Sequence, residues 1–241
     1  MLRHCDPVLY RRFIEPYLKD AMTPAAVTAA PLRFHPEVDD YTMSMGMDRT
    51  PGGRIWLGWF AGGDNEQAVI VLARSDDDGR SFSEPQFLLD PGAVACGIHK
   101  SAVVGTLWTA PDGRLFLFFM QSVGYFDGRG GTWQAVCENP DAAVPTWSAP
   151  TRIWHGAALN KPTVLRDGTW LLPISLWWRG AIQIEPSRFA WGALGENAPG
   201  FYPELDADRR AHLFASRDQG RNWVPRGRVL NLEPVFDEHM V

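Results

Sequence analysis

Two segments of this 241-residue chain indicate its fold most clearly: SDDDGRSF (residues 75–82) and SRDQGRNW (residues 216–223). Both fit the pattern S-x-D-x-G-x-x-[FW], and the segment TWSAP at residues 146–150 keeps only its end. Ser and Asp side chains hydrogen-bond the backbone of their own loop, Gly adopts the positive φ of such a turn, and the closing aromatic is predicted to tuck between strands. The predicted structural residues are Ser75, Asp77, Gly79, Phe82, Ser216, Asp218, Gly220 and Trp223.

A β-hairpin pattern recurs around these turns. Apolar and aromatic strands flank Gly53, Gly113 and Gly168, which are 60 and 55 residues apart. One hairpin type at a near-constant interval of about 40 to 60 residues is typical of β-propeller blades. The sequence therefore predicts an all-β propeller with blades at about residues 42–90, 100–154 and 161–230, the last with an insertion, and the start of a fourth at 235–241.

Residues 1–39 precede the repeats and are predicted to form an N-terminal arm. Residues 7–20 carry apolar side chains at helical spacing, which predicts one short helix interrupted by Pro16. Residues 21–34 have the composition of a linker or of an arm packed along a surface. Charged residues interrupt the first 20 positions, which therefore lack the apolar centre of a signal peptide. This predicts a cytoplasmic protein, and a secreted or periplasmic one stays open if the N-terminus is incomplete.

The composition excludes several classes of protein. A formal net charge of −5 argues against a nucleic-acid partner, and no apolar run reaches the roughly 18 residues of a membrane span. Three widely spaced cysteines predict neither a disulfide framework nor a zinc site. The acidic run at residues 76–78 is explained by turn chemistry better than by calcium. No cofactor and no metal are predicted.

Together with the phrases GRIWLGWFAGG (residues 53–63) and KPTVLRDGTWLLPIS (residues 161–175), the two turns make residues 40–241 resemble the sialidase superfamily, in its bacterial branch of BNR-repeat proteins. In that superfamily the S-x-D-x-G-x-x-[FW] turn is called the Asp box. The resemblance implies a six-bladed propeller, so three blades and part of a fourth look like a truncated one. Open blade edges would then favour self-association or pairing with a complementary half.

The resemblance also implies catalytic roles: a Tyr nucleophile with a Glu partner, an Asp acid/base and three Arg that clamp a sugar carboxylate. Asp64 lies 11 residues before Ser75, where the family's acid/base stands, and Glu66 is the nearby substitute; the alternative is a polar hairpin turn. Glu238 resembles the Glu partner, and the alternative is an exposed residue near a terminus. The nucleophile and two of the Arg would lie beyond Val241.

The first Arg of the clamp has no counterpart, because Met43 stands at its expected position. Arg54 is a nearby candidate for substrate binding, although its place directly after a turn favours a solvent-facing side chain. The missing Arg weakens the specific expectation of sialic acid, since a planar guanidinium recognises a carboxylate through two hydrogen bonds.

Other candidates come from the inner ends of the blades. His99 is a candidate general acid or base and Lys161 a candidate partner for a sugar carboxylate; the alternatives are a hydrogen-bonded structural His and a salt-bridged Lys. Trp177, Trp178 and Trp191 are either a platform for sugar rings or core residues. The remaining tryptophans predicted to be core are Trp56, Trp59, Trp108 and Trp170.

Three functions are consistent with these residues. The first is a sialidase-like hydrolase that removes a terminal acidic sugar from a glycan. The second keeps a carbohydrate pocket but acts as a lyase or another glycosidase on uronic-acid glycans, with His99 in the chemistry. The third is a non-catalytic, incomplete propeller.

Overall fold

The computed structural model describes residues 19–94, 99–182, 202–230, 233–236 and 239–240. These residues form three antiparallel sheets in chain order, each built on one of the hairpins around Gly53, Gly113 and Gly168. The all-β prediction is confirmed, and the sheets are blades 1, 2 and 3 of a propeller. None of the helices in the described residues is long and apolar enough to cross a membrane.

Blade 1 has five strands in the order β1-β5-β4-β3-β2. They are β1 (Ala26–Ala29), β2 (Met43–Arg49), β3 (Ile55–Ala61), β4 (Val69–Ser75) and β5 (Phe87–Asp90). The central strands β3 and β4 are apolar along nearly their whole length, as expected for strands that are covered on both faces.

Blade 2 has four strands in the order β6-β7-β8-β9: β6 (Lys100–Thr109), β7 (Leu115–Val123), β8 (Thr132–Cys137) and β9 (Thr151–Trp154). Every residue of β7 is buried. The register of β6 shifts between Val103 and Thr106, where Val104 has a φ of 59°. The inner strand β2 packs against this bulge at Gly46, where a Cβ atom would collide with the carbonyl oxygen of Gly105.

Blade 3 also has four strands: β10 (Thr163–Val164), β11 (Trp170–Ser175), β12 (Ala211–Ser216) and β13 (Val224–Arg228). Ala157 and Ser175 form a further bridge, so the chain from residue 157 onward already runs beside β11. Short 3-10 helices lie at Leu32–Phe34, Arg179–Ala181 and Pro203–Asp208.

The loops of the blades meet at two faces. The Asp-box face carries the turns of the three hairpins and the two Asp boxes. On this face Arg54 of blade 1 donates to the carbonyl oxygens of Pro140 and Ala142 in blade 2. The opposite face carries the β3–β4, β7–β8 and β11–β12 loops. On that face Tyr125 contacts Asp64 across blades 1 and 2.

Apolar cores join neighbouring blades. Trp56, Ile70 and Leu117 belong to a cluster shared by blades 1 and 2, whereas Trp108 and Trp170 belong to one shared by blades 2 and 3. The four tryptophans predicted to be core residues are all at most 7% exposed, which confirms that prediction. Each blade therefore depends on its neighbour for the burial of its aromatic side chains.

The N-terminal arm packs against blades 1 and 2. Residues 19–21 are helical, while the rest of the helix predicted over residues 7–20 lies outside the described residues. Strand β1 pairs with β5 and covers the outer edge of blade 1. The buried Lys100 ammonium donates to the carbonyl oxygens of Asp20 and Thr23, and Gln121 Nε2 donates to those of Ala21 and Thr23. Buried donors of blade 2 thus fix the arm.

The two Asp boxes share one hydrogen-bond pattern. Ser75 Oγ accepts from Gly79 N at 2.9 Å, and Asp77 Oδ1 accepts from Ser81 N at 2.9 Å. In blade 3, Ser216 Oγ accepts from Gly220 N at 2.8 Å, and Asp218 Oδ1 accepts from the backbone N–H of residue 222 at 2.9 Å. The side chains satisfy the backbone of their own turns, as the sequence pattern predicts.

The closing aromatics of the boxes differ. Trp223 packs edge-on against Phe118 of blade 2, and Trp147 of the TWSAP segment packs against Trp56 of blade 1. Phe82, in contrast, is 38% exposed, so the expectation that it tucks between strands is wrong. The reason is positional: Trp147 and Trp223 each pack on the preceding blade, and the described residues contain no blade before blade 1.

Candidate active site

The contact between Asp64 and Tyr125 is the most chemically informative one on the opposite face. Tyr125 Oη donates to Asp64 Oδ1 at 2.7 Å, which joins the β3–β4 loop of blade 1 to the β7–β8 loop of blade 2. Asp64 is exposed, whereas Tyr125 is half-buried. Asn65, which follows Asp64 in sequence, stabilises the turn instead, because its Oδ1 accepts a hydrogen bond from Gln67 N.

The electrostatics of this pair favour a neutral phenol. Burial, the hydrogen bond to Asp64 and the charge of that carboxylate all raise the pKa of Tyr125 well above its ordinary value. Burial and the Asp64 carboxylate also raise the pKa of nearby Tyr41. A neutral phenol bonded to a carboxylate is a group whose proton has an acceptor already in place.

Hydrogen bonds within the loop and from blade 3 fix the loop that carries Tyr125. Asp127 Oδ1 accepts from the backbone N–H groups of Arg129 at 2.9 Å and Gly130 at 2.7 Å, while Asp127 N donates to Ser122 Oγ. From blade 3, Arg209 Nη1 donates to the carbonyl oxygen of residue 128 at 2.8 Å. These bonds fix the loop and so the position of its tyrosine.

Two other predicted site residues lie near the Asp64–Tyr125 pair. They are His99, close to it in space, and Glu66, close to it in sequence. The His99 carbonyl oxygen accepts from Gly124 N, directly before Tyr125, and its Nδ1 lies 2.8 Å from the Lys100 carbonyl oxygen. A carbonyl only accepts, so Nδ1 carries the proton and Nε2 keeps its lone pair. Glu66 is two residues from Asp64 and half-buried.

Lys161 lies along the inner wall of the propeller. Its Nζ donates to the Met47 carbonyl oxygen at 2.9 Å and pairs with Asp48 Oδ1 at 3.3 Å. Asp48 Oδ2 in turn accepts from Thr109 N, so one carboxylate joins the inner strands of blades 1 and 2 to blade 3. This is the salt-bridged arrangement that the sequence left as the alternative to carboxylate binding.

Arg54 lies on the Asp-box face, away from Asp64. Its Nε pairs with Asp76 Oδ1 at 2.6 Å, and its side chain is only 10% exposed. The expectation of a solvent-facing Arg54 is therefore wrong, because the 140–142 segment of blade 2 covers it. Met43, where the resemblance would place an Arg, opens β2 and is 42% exposed.

The tryptophans of the third blade divide between core and rim. Trp177 is 1% exposed and packs against Phe126 at 5.0 Å and Phe236 at 4.7 Å, which leaves it no face for a sugar ring. Trp178 is half-buried and packs on the same apolar cluster. Trp191 and Glu238 lie outside the described residues.

Tyr125 is the residue that sequence reasoning missed. It lies in the segment GYFDGRGG, which matches no phrase of the sialidase resemblance and has no strand periodicity. The available signal was positional: Tyr125 follows a buried strand in blade 2, as Asp64 follows one in blade 1, and equivalent loops of adjacent blades meet. Within the described residues, no group of three or more His, Cys, Asp or Glu side chains is placed to hold a metal ion.

Several solved structures are similar to this chain. An ulvan lyase of polysaccharide lyase family 25, solved with a -[GlcA(1-4)Rha3S]- ligand, matches at a TM-score of 0.50 and 13% identity over 81% of this chain and 45% of its own. A Hadza microbial sialidase matches at 0.49 and 16% identity over 76% and 36%. A protein of unknown function from Dyadobacter fermentans matches at 0.42 and 13% over 74% and 48%.

The chain thus spans less than half the length of each of these solved structures. No curated protein sequence matches it. The model of the BNR repeat-like domain matches residues 53–236, which include the turn glycines of all three hairpins and both Asp boxes. With a match over most of its length, this chain belongs to the BNR repeat-like domain family.

Proposed function

We propose that this domain cleaves glycosidic bonds in acidic glycans and that Asp64 and Tyr125 carry the reaction. The observation that supports this most is the 2.7 Å hydrogen bond from the phenol to the carboxylate on the opposite face. The two groups come from different blades, so only the folded propeller brings them together. The fold shared with an ulvan lyase is compatible with a glycan substrate.

In the hydrolytic route, Tyr125 attacks as a neutral phenol. Its Oη forms a bond to the anomeric carbon, the bond from that carbon to the glycosidic oxygen breaks, and Asp64 passes the phenolic proton to the leaving oxygen. In the second step a water oxygen forms a bond to the anomeric carbon and the bond from that carbon to Tyr125 Oη breaks. Asp64 takes a proton from the water and passes it to the phenolate, which restores both groups. A neutral nucleophile avoids repulsion from an acidic sugar, and the raised pKa of Tyr125 keeps it neutral on approach.

The sugar removed is proposed to be a terminal acidic one, of which sialic acid is the specific candidate. Met43 stands where the resemblance would place a carboxylate-binding Arg, so that candidate lacks one of its expected ligands. Aryl sialosides and aryl glucuronides are therefore both required as substrates in the assay.

A lyase acting on uronic-acid glycans is the second candidate, and His99 is the observation in its favour. Its Nε2 keeps a lone pair, and its backbone contacts the residue before Tyr125. In β-elimination a base removes the proton from the carbon next to the carboxyl group, the bond from the following carbon to the glycosidic oxygen breaks, and that oxygen takes a proton from water. The product absorbs in the ultraviolet because the two carbons are now joined by a double bond. The His99→Ala variant should abolish that absorbance if the lyase assignment is right.

The test compares release of an aryl group and formation of an unsaturated product by wild type, Asp64→Asn and Tyr125→Phe. We expect each substitution to lower kcat at least about 100-fold, which is typical for loss of general acid–base catalysis. Asp40→Asn is the matched control, since Asp40 is an exposed acid near Tyr41. A wild type inactive on every acidic glycan, or variants as active as Asp40→Asn, would contradict the proposal.

A further inference from the structure

The β3–β4 loop that carries Asp64 begins with a flexible sequence. Gly62 and Gly63 directly precede Asp64, and both have a positive φ, of 79° and 107°. Glycine has the largest conformational freedom of all residues, so the end of strand β3 does not by itself determine where Asp64 lies. Asn65 stabilises the far side of the turn through Gln67 N. The near side of the loop therefore depends on contacts from outside it.

Asp39 of the N-terminal arm provides such a contact. Its Oδ2 accepts from Gly62 N at 2.8 Å, and its Oδ1 accepts from Tyr41 N at 3.1 Å. One half-buried carboxylate thus joins the backbone of the arm to the backbone two residues before Asp64. Hydrogen bonds to an ionised acceptor are stronger than those between neutral groups.

Asp39 is itself anchored to blade 1. Its backbone N–H donates to the His35 carbonyl oxygen at 2.9 Å, and His35 Nε2 lies 3.0 Å from Glu84 Oε2, between β4 and β5. Phe34 packs against the apolar cluster that contains Trp59 of β3. The arm is therefore docked on the blade directly before Asp39, which gives the carboxylate a defined position.

The loop on the other side of the Asp64–Tyr125 contact is held in a similar way. Asp127 Oδ1 accepts from the backbone N–H groups of Arg129 and Gly130. Each member of the pair thus lies in a loop whose backbone donates to a carboxylate. The bond from Tyr125 Oη to Asp64 Oδ1 joins two blades, so its geometry depends on both loops.

We propose that Asp39 is a positioning residue: by holding Gly62, it places the Asp64 carboxylate within reach of the Tyr125 phenol. Its effect on catalysis rests on the proposed function, whereas its effect on the geometry of the pair does not. Tyr41, held by the same carboxylate, packs on the same apolar cluster as Tyr125. The arm thus lies beside the Asp64–Tyr125 pair.

Steady-state kinetics of Asp39→Asn test the effect on catalysis. An amide has one oxygen, so the variant lacks an acceptor for one of the two backbone N–H groups. We expect kcat to fall at least about tenfold with KM within about twofold of wild type, because misplacement of Asp64 affects the transition state more than glycan binding. Asp39→Glu keeps both oxygens and should restore part of the loss. Asp40→Asn, at the exposed acid next in sequence, is the matched control.

The double variant Asp39→Asn, Asp64→Asn distinguishes positioning from a general structural role. If Asp39 acts through Asp64, the double variant should have nearly the same kcat as Asp64→Asn alone. Losses in kcat that multiply would overturn the proposal.

Two further measurements need no activity, and the first needs no variant. The Gly62 amide of wild type should exchange at least about tenfold more slowly than the Gly63 amide, for which the described residues contain no acceptor. In protein labelled with 3-fluorotyrosine, the fluorine resonance of Tyr125 should move in Asp39→Asn toward its position in Asp64→Asn, and should stay in place in Asp40→Asn. Equal exchange at the two glycines, or an unmoved resonance in Asp39→Asn, overturns the proposal.

These outcomes separate the role of Asp39 from the proposed function. Slow exchange at Gly62 and a moved Tyr125 resonance, with no cleavage of acidic glycans by wild type, would refute the proposed function alone. Cleavage by wild type and equally fast cleavage by Asp39→Asn would refute the role of Asp39 alone.

Discussion

The phenol of Tyr125 in blade 2 donates its proton in a hydrogen bond to the Asp64 carboxylate of blade 1. Asp64 is exposed and Tyr125 half-buried, and burial together with the hydrogen bond to Asp64 raises the pKa of Tyr125, which keeps the phenol neutral. Asn65, adjacent in sequence, closes its turn instead. The two neighbouring polar residues of this loop therefore have different contacts: Asn65 closes the turn, and Asp64 accepts the hydrogen bond from Tyr125.

Acid stability should depend on Asp77, a single side chain of the first Asp box. Hydrogen bonds from the Ser81 side chain, from Ser81 N and from Ser75 lower the pKa of Asp77 to about 2. A depressed pKa adds stability that is complete above the unfolded value of about 3.9 and is lost as pH falls toward 2. Asp77→Asn should therefore lower the melting temperature at pH 7 and flatten its decline between pH 4 and 2. An equally steep decline in the variant would contradict this role.

His155 should make stability depend on pH in a higher range. Its pKa of about 4 lies below the unfolded value of about 6.5, so between these values the unfolded chain binds a proton that the folded chain does not. Stability should therefore fall as pH drops from 6.5 to 4. His155→Gln should reduce this slope in urea denaturation, and an unchanged slope would count against the depressed pKa.

At the scale of elements, the Asp box of blade 3 is also a contact between blades. Gln134 of β8 donates to the carbonyl oxygen of Gly220 at 2.7 Å and accepts from Trp223 Nε1 at 2.9 Å. Gly220 combines a φ of 82° with close packing, because an added Cβ would lie 2.9 Å from the Phe116 ring. The box therefore requires glycine both for its conformation and for the space.

Comparison of Gly220→Ala with Gly168→Ala separates those two requirements. Gly168 has a similar φ of 81° but nothing within 4 Å of an added Cβ. We expect Gly168→Ala to cost about 1 to 2 kcal/mol from backbone strain alone. Gly220→Ala should cost a further 1 to 3 kcal/mol or so, because the ring contacts must give way. If urea denaturation shows the same loss in free energy of unfolding for both variants, the contact between the blades does not contribute to stability.

The N-terminal arm is an element whose role depends on buried donors of another blade. The Lys100→Met substitution leaves the carbonyl oxygens of Asp20 and Thr23 without their ammonium donor. We expect faster amide exchange in β1 and in its partner β5, with little change in β12 of blade 3. Uniformly faster exchange in all three blades would indicate global destabilisation instead of release of the arm.

At the scale of the whole molecule, shared cores should make the blades unfold together. Trp56 and Leu117 lie in one cluster across blades 1 and 2, and Trp108 and Trp170 lie in another across blades 2 and 3. Unfolding curves from tryptophan fluorescence and far-ultraviolet circular dichroism should coincide. Two separated transitions would show that the blades are independent units.

The sequence predicts much of this architecture and little of its site, for physical reasons. Hairpin turns and Asp boxes are local, so Gly53 or Ser216 reveals its structure within a few residues. The contact of Tyr125 with Asp64 spans 61 positions and depends on how two blades meet, which no local pattern encodes. The pairing of β1 with β5 was likewise hidden, because an edge strand of four residues resembles a linker.

Mass spectrometry of a trapped intermediate can show directly whether Tyr125 and Asp64 cleave glycosidic bonds. An acidic glycosyl fluoride with a second fluorine on the ring slows the hydrolysis of a covalent intermediate. We expect the peptide containing Tyr125 to gain the mass of the sugar in wild type and in Asp40→Asn, but not in Tyr125→Phe. Turnover of the unmodified glycan with no adduct on Tyr125, or no turnover at all, would contradict it.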